Sequence, residues 1–207
     1  MARDTQSIVK MSRREGYALH PKAHKVLVKR TNKPGQGQQS RGRRGGGVSQ
    51  YSLQLREKQK VKRLYGLLER QFSNLVKEAS RKQGQSGTIL LQMLEQRADN
   101  VVYRAGFAPS RRAARQLMSH GHFLFNDVRV DIPSIRLKPG DILTLRPHSA
   151  QTEYFKKLDD TSPVPSEIPS WLKANRKKVS VEVTALPSRD DAEVDINEQL
   201  IVEYYSR

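Results

Sequence analysis

The positive charge of this chain is concentrated toward its N-terminal end, and this asymmetry limits what the chain can fold into. The 207 residues carry a formal net charge of +17. Residues 1–87 hold 21 Lys and Arg against 5 Asp and Glu, residues 88–150 hold 9 against 5, and residues 151–207 hold 8 against 11. A stretch this basic repels itself unless a polyanion neutralises it. We therefore predict that the N-terminal part contacts nucleic acid, and that the mildly acidic C-terminal part neutralises basic surface on its own chain or on a neighbouring protein.

The composition excludes several other classes of protein. Hydrophobic residues make up 36% of the chain, which predicts a modest core with extended basic segments. No apolar run approaches the roughly 20 residues that cross a bilayer, so we expect no membrane partner. We also expect no secretory signal, because the first residues lack an apolar stretch. Cysteine is absent, which excludes disulfides and cysteine-ligated zinc and is compatible with a reducing compartment.

Residues 1–50 have the composition of an extended basic arm. Lys10, Arg13, Arg14 and Lys22 recur with few large apolar residues between them, and the glycine-rich run from Pro34 to Gly47 follows. Such a segment cannot bury enough apolar area to order itself alone. Two interpretations are open: a solvated linker, or an arm that orders on RNA. The charge of the whole chain favours the arm.

Helical spacing of apolar residues follows the arm. Leucines, Phe72 and Val76 recur about every 3.6 residues over 51–83, which predicts helices with a break near Gly66. The run from Arg56 to Arg63 lies between them and predicts an exposed basic face. A further helix is predicted over 88–106.

A helix followed by a β-hairpin is predicted next. Ser110 is a good N-cap residue and Gly121 suits a helix end, so the helix should run between them. Alternating apolar residues then predict two strands around a turn at Asn126-Asp127. Further strands are predicted at 142–145 and 179–183, and a Pro- and Ser-rich loop is predicted over 158–170.

Three arginines at the start of this helix form the strongest local constellation. Arg111, Arg112 and Arg115 fall on one broad side of it, near the N-terminus, where the helix dipole favours phosphate. RNA helices are bound mainly through phosphates and 2′-hydroxyls, which suits a chain with 6% aromatic residues. The alternative is a solvated basic face. The compact arrangement of helix, glycine turn and hairpin favours RNA binding.

Motifs for catalysis or metal binding are weak. His120, His122 and Asp127 lack a further ligand, and Ser119 with His120 and Asp127 would form a triad only if geometry were ignored. The segment from Gly84 to Thr88 lacks the lysine of a phosphate-binding loop. We therefore predict no enzyme activity, no cofactor and no metal site.

Seven short motifs cover nearly the whole chain in a fixed order: Ser12–Gly16, Tyr51–Gly66, Leu68–Phe72, Arg97–Arg104, Ala114–Leu117, Pro169–Leu172 and Asp195–Glu203. Each motif alone is moderately specific, and together they are highly specific. In this combination the chain resembles the family of small-subunit ribosomal protein four, of bacterial type and in a cysteine-free form.

The resemblance implies an α+β fold. A basic N-terminal arm over residues 1–50 and a helical rRNA-binding domain over 51–86 would pack with the C-terminal tail over 186–207, which completes that domain. An inserted α/β domain would span 87–185 and contain a small helix-plus-hairpin RNA-binding module at about 97–160.

The resemblance also implies a function in the ribosome of the cytoplasm. The family binds the 5′ domain of small-subunit rRNA directly and nucleates assembly of the subunit body. It contacts ribosomal protein five at an interface linked to translational accuracy and lies near the channel by which mRNA enters, and some members repress their own messenger. The predicted RNA-binding residues are Lys10, Arg13, Arg14, Lys22, Arg41, Arg43, Arg44, Gln54, Arg56, Lys58, Lys60, Lys62, Arg63, Arg70, Arg111, Arg112, Arg115, Ser119 and His120.

The chain departs from the family pattern at a few positions. Asp4 stands where tyrosine is common, and the run from Pro34 to Gly37 lacks the usual histidine. Asn126-Asp127 replaces the usual Asn-Gly turn, which leaves the turn type open. The zinc-binding cysteines of some members are missing, so RNA or packing must order the arm.

Two other functions are compatible with a small RNA-binding module. An RNA-modifying enzyme such as a pseudouridine synthase would need a catalytic domain, but residues 1–87 are too basic and core-poor for one and 161–207 are too short. A stand-alone RNA chaperone would not be expected to carry an acidic and apolar tail that matches the ribosomal pattern. A bacterial rather than an organellar ribosome is expected, since no transit peptide is apparent.

Overall fold

The computed structural model describes residues 4–30, 32–35, 49–165, 167–193 and 195–206. The chain divides into two compact units, Met1–Leu90 with Asp195–Arg207, and Leu91–Val194. We call them the terminal unit and the central unit. The helices of the described residues are α1 Ile8–Glu15, α2 Pro21–Lys29, α3 Gln50–Leu64, α4 Glu69–Arg81, α5 Ser86–Glu95, α6 Ala98–Arg104, α7 Arg111–Ser119, α8 Pro147–Ala150, α9 Glu153–Lys156, α10 Leu158–Thr161 and α11 Glu198–Tyr205. The strands are β1 Phe123–Phe125, β2 Val128–Val130, β3 Ile142–Leu145, β4 Leu172–Asn175 and β5 Ser180–Val183.

The terminal unit is built on α3, α4 and α11. The predicted break near Gly66 separates α3 from α4, and Gly66 has a φ of +64°. Phe72 on α4 and Ile201 on α11 are fully buried, as is Val61 on α3. These apolar contacts bring the end of the chain back onto helices near its beginning.

Residues 8–15 and 21–29 form helices, so the prediction of an extended arm over 1–50 is wrong for these two segments. Met11 on α1 and Ala23 on α2 are buried, and the side chain of His20 caps α2 by accepting a hydrogen bond from the Lys22 N–H. The sequence pattern does not predict these helices, because each buries only one or two residues and therefore lacks a clear apolar face. Arg41, Arg43 and Arg44 lie outside the described residues.

The central unit contains an antiparallel sheet in the order β2-β1-β3-β5-β4. Its core lies between this sheet and the helices α6 and α7, and includes Val101, Phe107, Met118, Phe123 and Trp171, all almost fully buried. Mixed helices and a small antiparallel sheet confirm the predicted α+β fold class.

The hairpin between β1 and β2 closes through a type I′ turn. Asn126 and Asp127 have φ values of +45° and +67°, and positive φ at both central residues defines this turn type. The Asn126 side chain donates to Asp141 at 3.0 Å and accepts from the Ile142 N–H at 2.9 Å. These bonds fix the turn without the glycine that the family commonly uses.

One stretch differs from the expected local structure. The loop predicted over 158–170 begins with α10, whose Leu158 is buried. No helix among the described residues is long and apolar enough to cross a bilayer.

Candidate nucleic-acid interface

Most basic side chains of α3 pair with carboxylates of their own chain. Lys58 lies 2.7 Å and Lys62 lies 2.9 Å from Glu69, and Lys60 lies 2.8 Å from Glu57. Lys58 is buried, and so is Gln54. The predicted exposed basic face is therefore wrong for much of α3, because these side chains hold the terminal unit together.

Glu69 is the centre of one such cluster. It accepts hydrogen bonds from both lysines and from the Tyr205 hydroxyl at 2.9 Å, while the Lys58 ammonium lies 4.6 Å from the centre of the Tyr204 ring. Burial acts to raise the pKa of Glu69, but the three hydrogen bonds outweigh it and lower the pKa to about 2. The ionised carboxylate thus links α3 and α4 to the C-terminal helix.

This pKa predicts a loss of stability in acid. Because the pKa of Glu69 falls from 4.5 to about 2 on folding, its contribution is complete above about pH 4.5 and is lost as the pH drops toward 2. We expect the difference in unfolding free energy between the wild type and Glu69→Gln to shrink over this window, as measured by urea denaturation at several pH values. A difference that stays constant would contradict the role given to this carboxylate.

A second cluster surrounds Glu15, whose side chain is fully buried. Arg56 lies 3.3 Å from it and Arg63 also contacts it, so α1 is fastened to α3 by an ion cluster. Burial raises the pKa of Glu15, and the arginines oppose that shift. Both arginines were predicted to contact RNA, and the structure engages them within the protein.

The three arginines at the start of α7 do not share one environment. Arg111 donates to Asn100 at 2.8 Å and to Glu193 at 2.9 Å, and Arg115 donates to Asp99 at 2.9 Å. Arg112 is exposed and contacts no carboxylate in the described parts of the chain. Arg111, Arg112 and Arg115 lie on one broad side of α7 as predicted, but two of them tie the helix to neighbouring segments and only Arg112 is exposed. Phosphate binding by all three stays a prediction.

Arg112 belongs to a polar face that runs the length of α7. Gln116 and Ser119 follow it at i+4 and i+7, which places all three on one side of the helix, and exposed His120 comes directly after them. Arg129 on β2 extends this surface. Its Nε lies 3.0 Å from the point where a Cβ on Gly121 would stand, so its guanidinium covers the turn after α7. We call Arg112, Gln116, Ser119, His120 and Arg129 the α7 face.

Gln116 and Arg129 are not among the RNA-binding residues predicted from the sequence. Gln116 could have been found from its spacing to Arg112, because both lie on the face opposite the buried Ala114 and Met118. Arg129 could not, since its proximity to Gly121 depends on how the hairpin folds back.

The other predicted residues lie apart along the chain. Lys10, Arg14, Lys22 and Arg70 are exposed, whereas Arg13 donates to the Asn32 carbonyl at 2.8 Å. Contacts of the predicted residues with RNA remain a prediction.

His122 of the central unit has a packing role. His122 lies 3.0 Å from the Ser149 hydroxyl and stacks edge-on against Phe155. Burial lowers the pKa of His122, with the charges of His120 and Arg146 adding to the effect. Among the described residues, no group of three or more His, Cys, Asp or Glu side chains could hold a metal ion.

A helix with a free basic face, followed by a tight hairpin in an α+β chain, is the architecture of a small RNA-binding module. Comparison with known families supports this class. Residues 3–95 match the ribosomal protein S4/S9 N-terminal domain, and residues 96–143 match the S4 domain.

Full-length relatives identify the family. The small ribosomal subunit protein uS4 of Chloroflexus aurantiacus is 48% identical over 208 residues, and that of Chlorobaculum tepidum is 51% identical over 211 residues, each covering 100% of both chains. The chain belongs to the uS4 family of small ribosomal subunit proteins, which confirms the resemblance found in its motifs. Its members are structural proteins, so the prediction that the chain is not an enzyme is also confirmed.

Proposed function

We propose that this protein is a structural constituent of the small ribosomal subunit that binds small-subunit rRNA directly. The observation that carries the proposal is the α7 face: among the described residues, Arg112 and Arg129 contact no carboxylate, whereas Arg111 and Arg115 form ion pairs with Glu193 and Asp99. Cations that are exposed and unpaired can neutralise phosphate without first breaking an internal ion pair.

The mechanism divides the basic residues into two groups. Arg111 and Arg115 hold α7 in place through bonds to Glu193, Asn100 and Asp99. The exposed face then meets RNA as a preformed surface, so little side-chain order has to be gained on binding. Arg112 and Arg129 neutralise phosphates, while Gln116 and Ser119 offer groups that can bond 2′-hydroxyls.

Membership of the uS4 family supports a more specific proposal for the RNA target and for the role in assembly. We propose that the target is the 5′ domain of small-subunit rRNA and that binding nucleates assembly of the subunit body. The protein would work within ribosomes of the cytoplasm, contribute to translational accuracy with ribosomal protein five, and lie near the channel by which mRNA enters. The terminal unit would supply further rRNA contacts from Lys10, Arg14, Lys22 and Arg70, which are all exposed.

The double variant Arg112→Gln/Arg129→Gln tests the α7 face. Removing two phosphate contacts should weaken binding to a transcript of the 5′ domain by about tenfold to a hundredfold at 0.1 M salt, and should reduce the slope of log K against log salt by about two, by analogy with duplex DNA. Filter binding at several salt concentrations measures both quantities.

The matched control is Lys173→Gln/Lys178→Gln, which removes two exposed lysines from the β4–β5 hairpin of the same unit. It should leave affinity and slope nearly unchanged. Equal behaviour of the two double variants would show that net charge alone drives binding and would reject the α7 face.

A further inference from the structure

Glu193 lies beside the arginines at the start of α7, and the function proposed above uses it only as a partner that holds the helix in place. Its Oε1 accepts a hydrogen bond from Nη2 of Arg111 at 2.9 Å and lies 3.7 Å from Nη2 of Arg104. Guanidinium groups near a helix N-terminus are also the groups that an RNA phosphate binds. Glu193 therefore competes with phosphate for these arginines.

The exposure of Glu193 distinguishes it from Glu95 and Asp99, which also pair with arginines of α6 and α7. The side chains of Glu95 and Asp99 are 0% and 6% exposed, whereas that of Glu193 is 26% exposed. An RNA strand beside the start of α7 therefore meets the negative charge of Glu193 directly. Charges at the surface act over about 8 Å at physiological ionic strength, so this carboxylate repels nearby phosphates.

The segment around Glu193 holds this carboxylate in place. The Arg104 guanidinium donates to the Asp191 carbonyl at 3.2 Å. The Asp191 side chain accepts from the N–H and from the hydroxyl of Ser188, each at 2.7 Å, and Ala192 is buried. Because these contacts order the segment, the Glu193 carboxylate stays at the start of α7 in the free protein.

Arg111 has further partners besides Glu193. It donates to Asn100 at 2.8 Å, and its guanidinium carbon lies 4.6 Å from the centre of the Tyr103 ring. Removing the charge of Glu193 leaves both of these contacts in place. The local structure therefore does not depend on this charge alone, and a role of the charge in RNA binding can be measured separately.

We propose that Glu193 is a specificity-determining residue, which weakens the binding of RNA that does not match the α7 face. This inference rests on the proposed function, since it assumes that the protein binds rRNA. Binding to unmatched RNA comes almost entirely from the neutralisation of phosphates, whereas a matched RNA also gains from shape and from hydrogen bonds. A carboxylate that pairs with Arg111 and repels phosphate therefore weakens unmatched binding more than matched binding.

Glu193→Gln in the full chain tests this inference, because glutamine removes the charge but keeps the size of the side chain and an oxygen that accepts from Arg111. Filter binding at several salt concentrations compares a transcript of the small-subunit rRNA 5′ domain with an unrelated structured transcript of the same length. We expect affinity for the unrelated transcript to rise about threefold to tenfold at 0.1 M salt, and its salt slope to steepen by about one. Affinity for the 5′ domain should change by less than about twofold, so the ratio of the two affinities falls.

The matched control is Glu153→Gln, which removes a carboxylate from α9 of the same unit. Glu153 lies 2.7 Å from Lys157, so this variant changes the net charge by the same amount and also releases a basic side chain. Because this pair is exposed and screened by solvent, the control should leave affinity for both transcripts nearly unchanged. Both variants should melt close to the wild-type temperature, since neither glutamate is fully buried.

Each other outcome has a definite meaning. An unchanged ratio of affinities in Glu193→Gln overturns the inference while the proposed function stands. A loss of affinity for both transcripts also overturns it, because Glu193 would then only support the structure of α7. An equal rise in Glu153→Gln shows that net charge alone acts, and likewise overturns it. If the wild type does not prefer the 5′ domain to the unrelated transcript, the proposed function fails, and this inference fails with it.

Discussion

Glu95→Ala is expected to destabilise the central unit by about 3 kcal/mol, at the low end of the range for breaking a buried ion pair. The Glu95 side chain is fully buried. It accepts hydrogen bonds from Arg104 at 3.0 and 3.1 Å and from Asn100 at 2.7 Å. Removing the carboxylate leaves these donors without their main acceptor. Glu193 remains 3.7 Å from Arg104 as an alternative carboxylate, which limits the loss of stability.

The control for Glu95 is Glu153→Ala, which also removes an ion-paired carboxylate. Glu153 lies 2.7 Å from Lys157, but its side chain is 81% exposed. Such a pair contributes at most about 1 kcal/mol. Urea denaturation of both variants measures their losses of unfolding free energy. We expect the loss to be larger for Glu95→Ala, because Glu95 is buried and Glu153 is exposed. A loss for Glu95→Ala no larger than that for Glu153→Ala would show that the buried network does not stabilise the unit.

Gly106→Ala should have a similarly large effect, of about 3 kcal/mol, from backbone strain and a steric clash combined. Gly106 lies between α6 and α7 with a φ of +77°, and a Cβ there would stand 2.4 Å from Cδ of Pro165. Its carbonyl accepts from Arg176 at 2.9 Å and from Ser162 at 3.0 Å. The clash cannot be relieved without moving these contacts, so the position of α7 should also be disturbed.

Gly140→Ala separates the two contributions to the Gly106 effect. Gly140 has a φ of +93°, but nothing lies within 4 Å of a Cβ built on it. Alanine there should cost only the strain, about 1 kcal/mol. Thermal melts of the two variants provide the comparison. Equal destabilisation would mean that the contact with Pro165 is not tight in solution.

The sequence predicted best those elements whose signals are local. Helix α7 begins after Ser110, whose hydroxyl accepts from the Ala113 N–H at 3.2 Å, and the hairpin turns at Asn126-Asp127. N-caps and turns depend on neighbouring residues, so a single sequence reveals them. Helices α1 and α2 were missed because each is short and depends on distant contacts, such as the bond between Glu15 and Arg63.

The division of the basic residues into paired and free groups could not be predicted. Arg111, Arg112 and Arg115 look equivalent in sequence, yet the partner of Arg111 lies 82 residues away at Glu193 and that of Arg115 lies 16 residues away at Asp99. Lys58 and Lys62 likewise share Glu69 with Tyr205, a residue of the last helix. The net charge of a sequence indicates that the chain binds a polyanion. Only the tertiary structure shows which basic side chains are not already paired with carboxylates of the protein.

The most direct test of the ribosomal function is sedimentation of a cell lysate through a sucrose gradient, with detection of this protein in each fraction. We predict that it migrates with small subunits and whole ribosomes and stays bound through a high-salt wash. If it stayed at the top of the gradient while other small-subunit proteins moved down, its function as a structural constituent of the subunit would be contradicted.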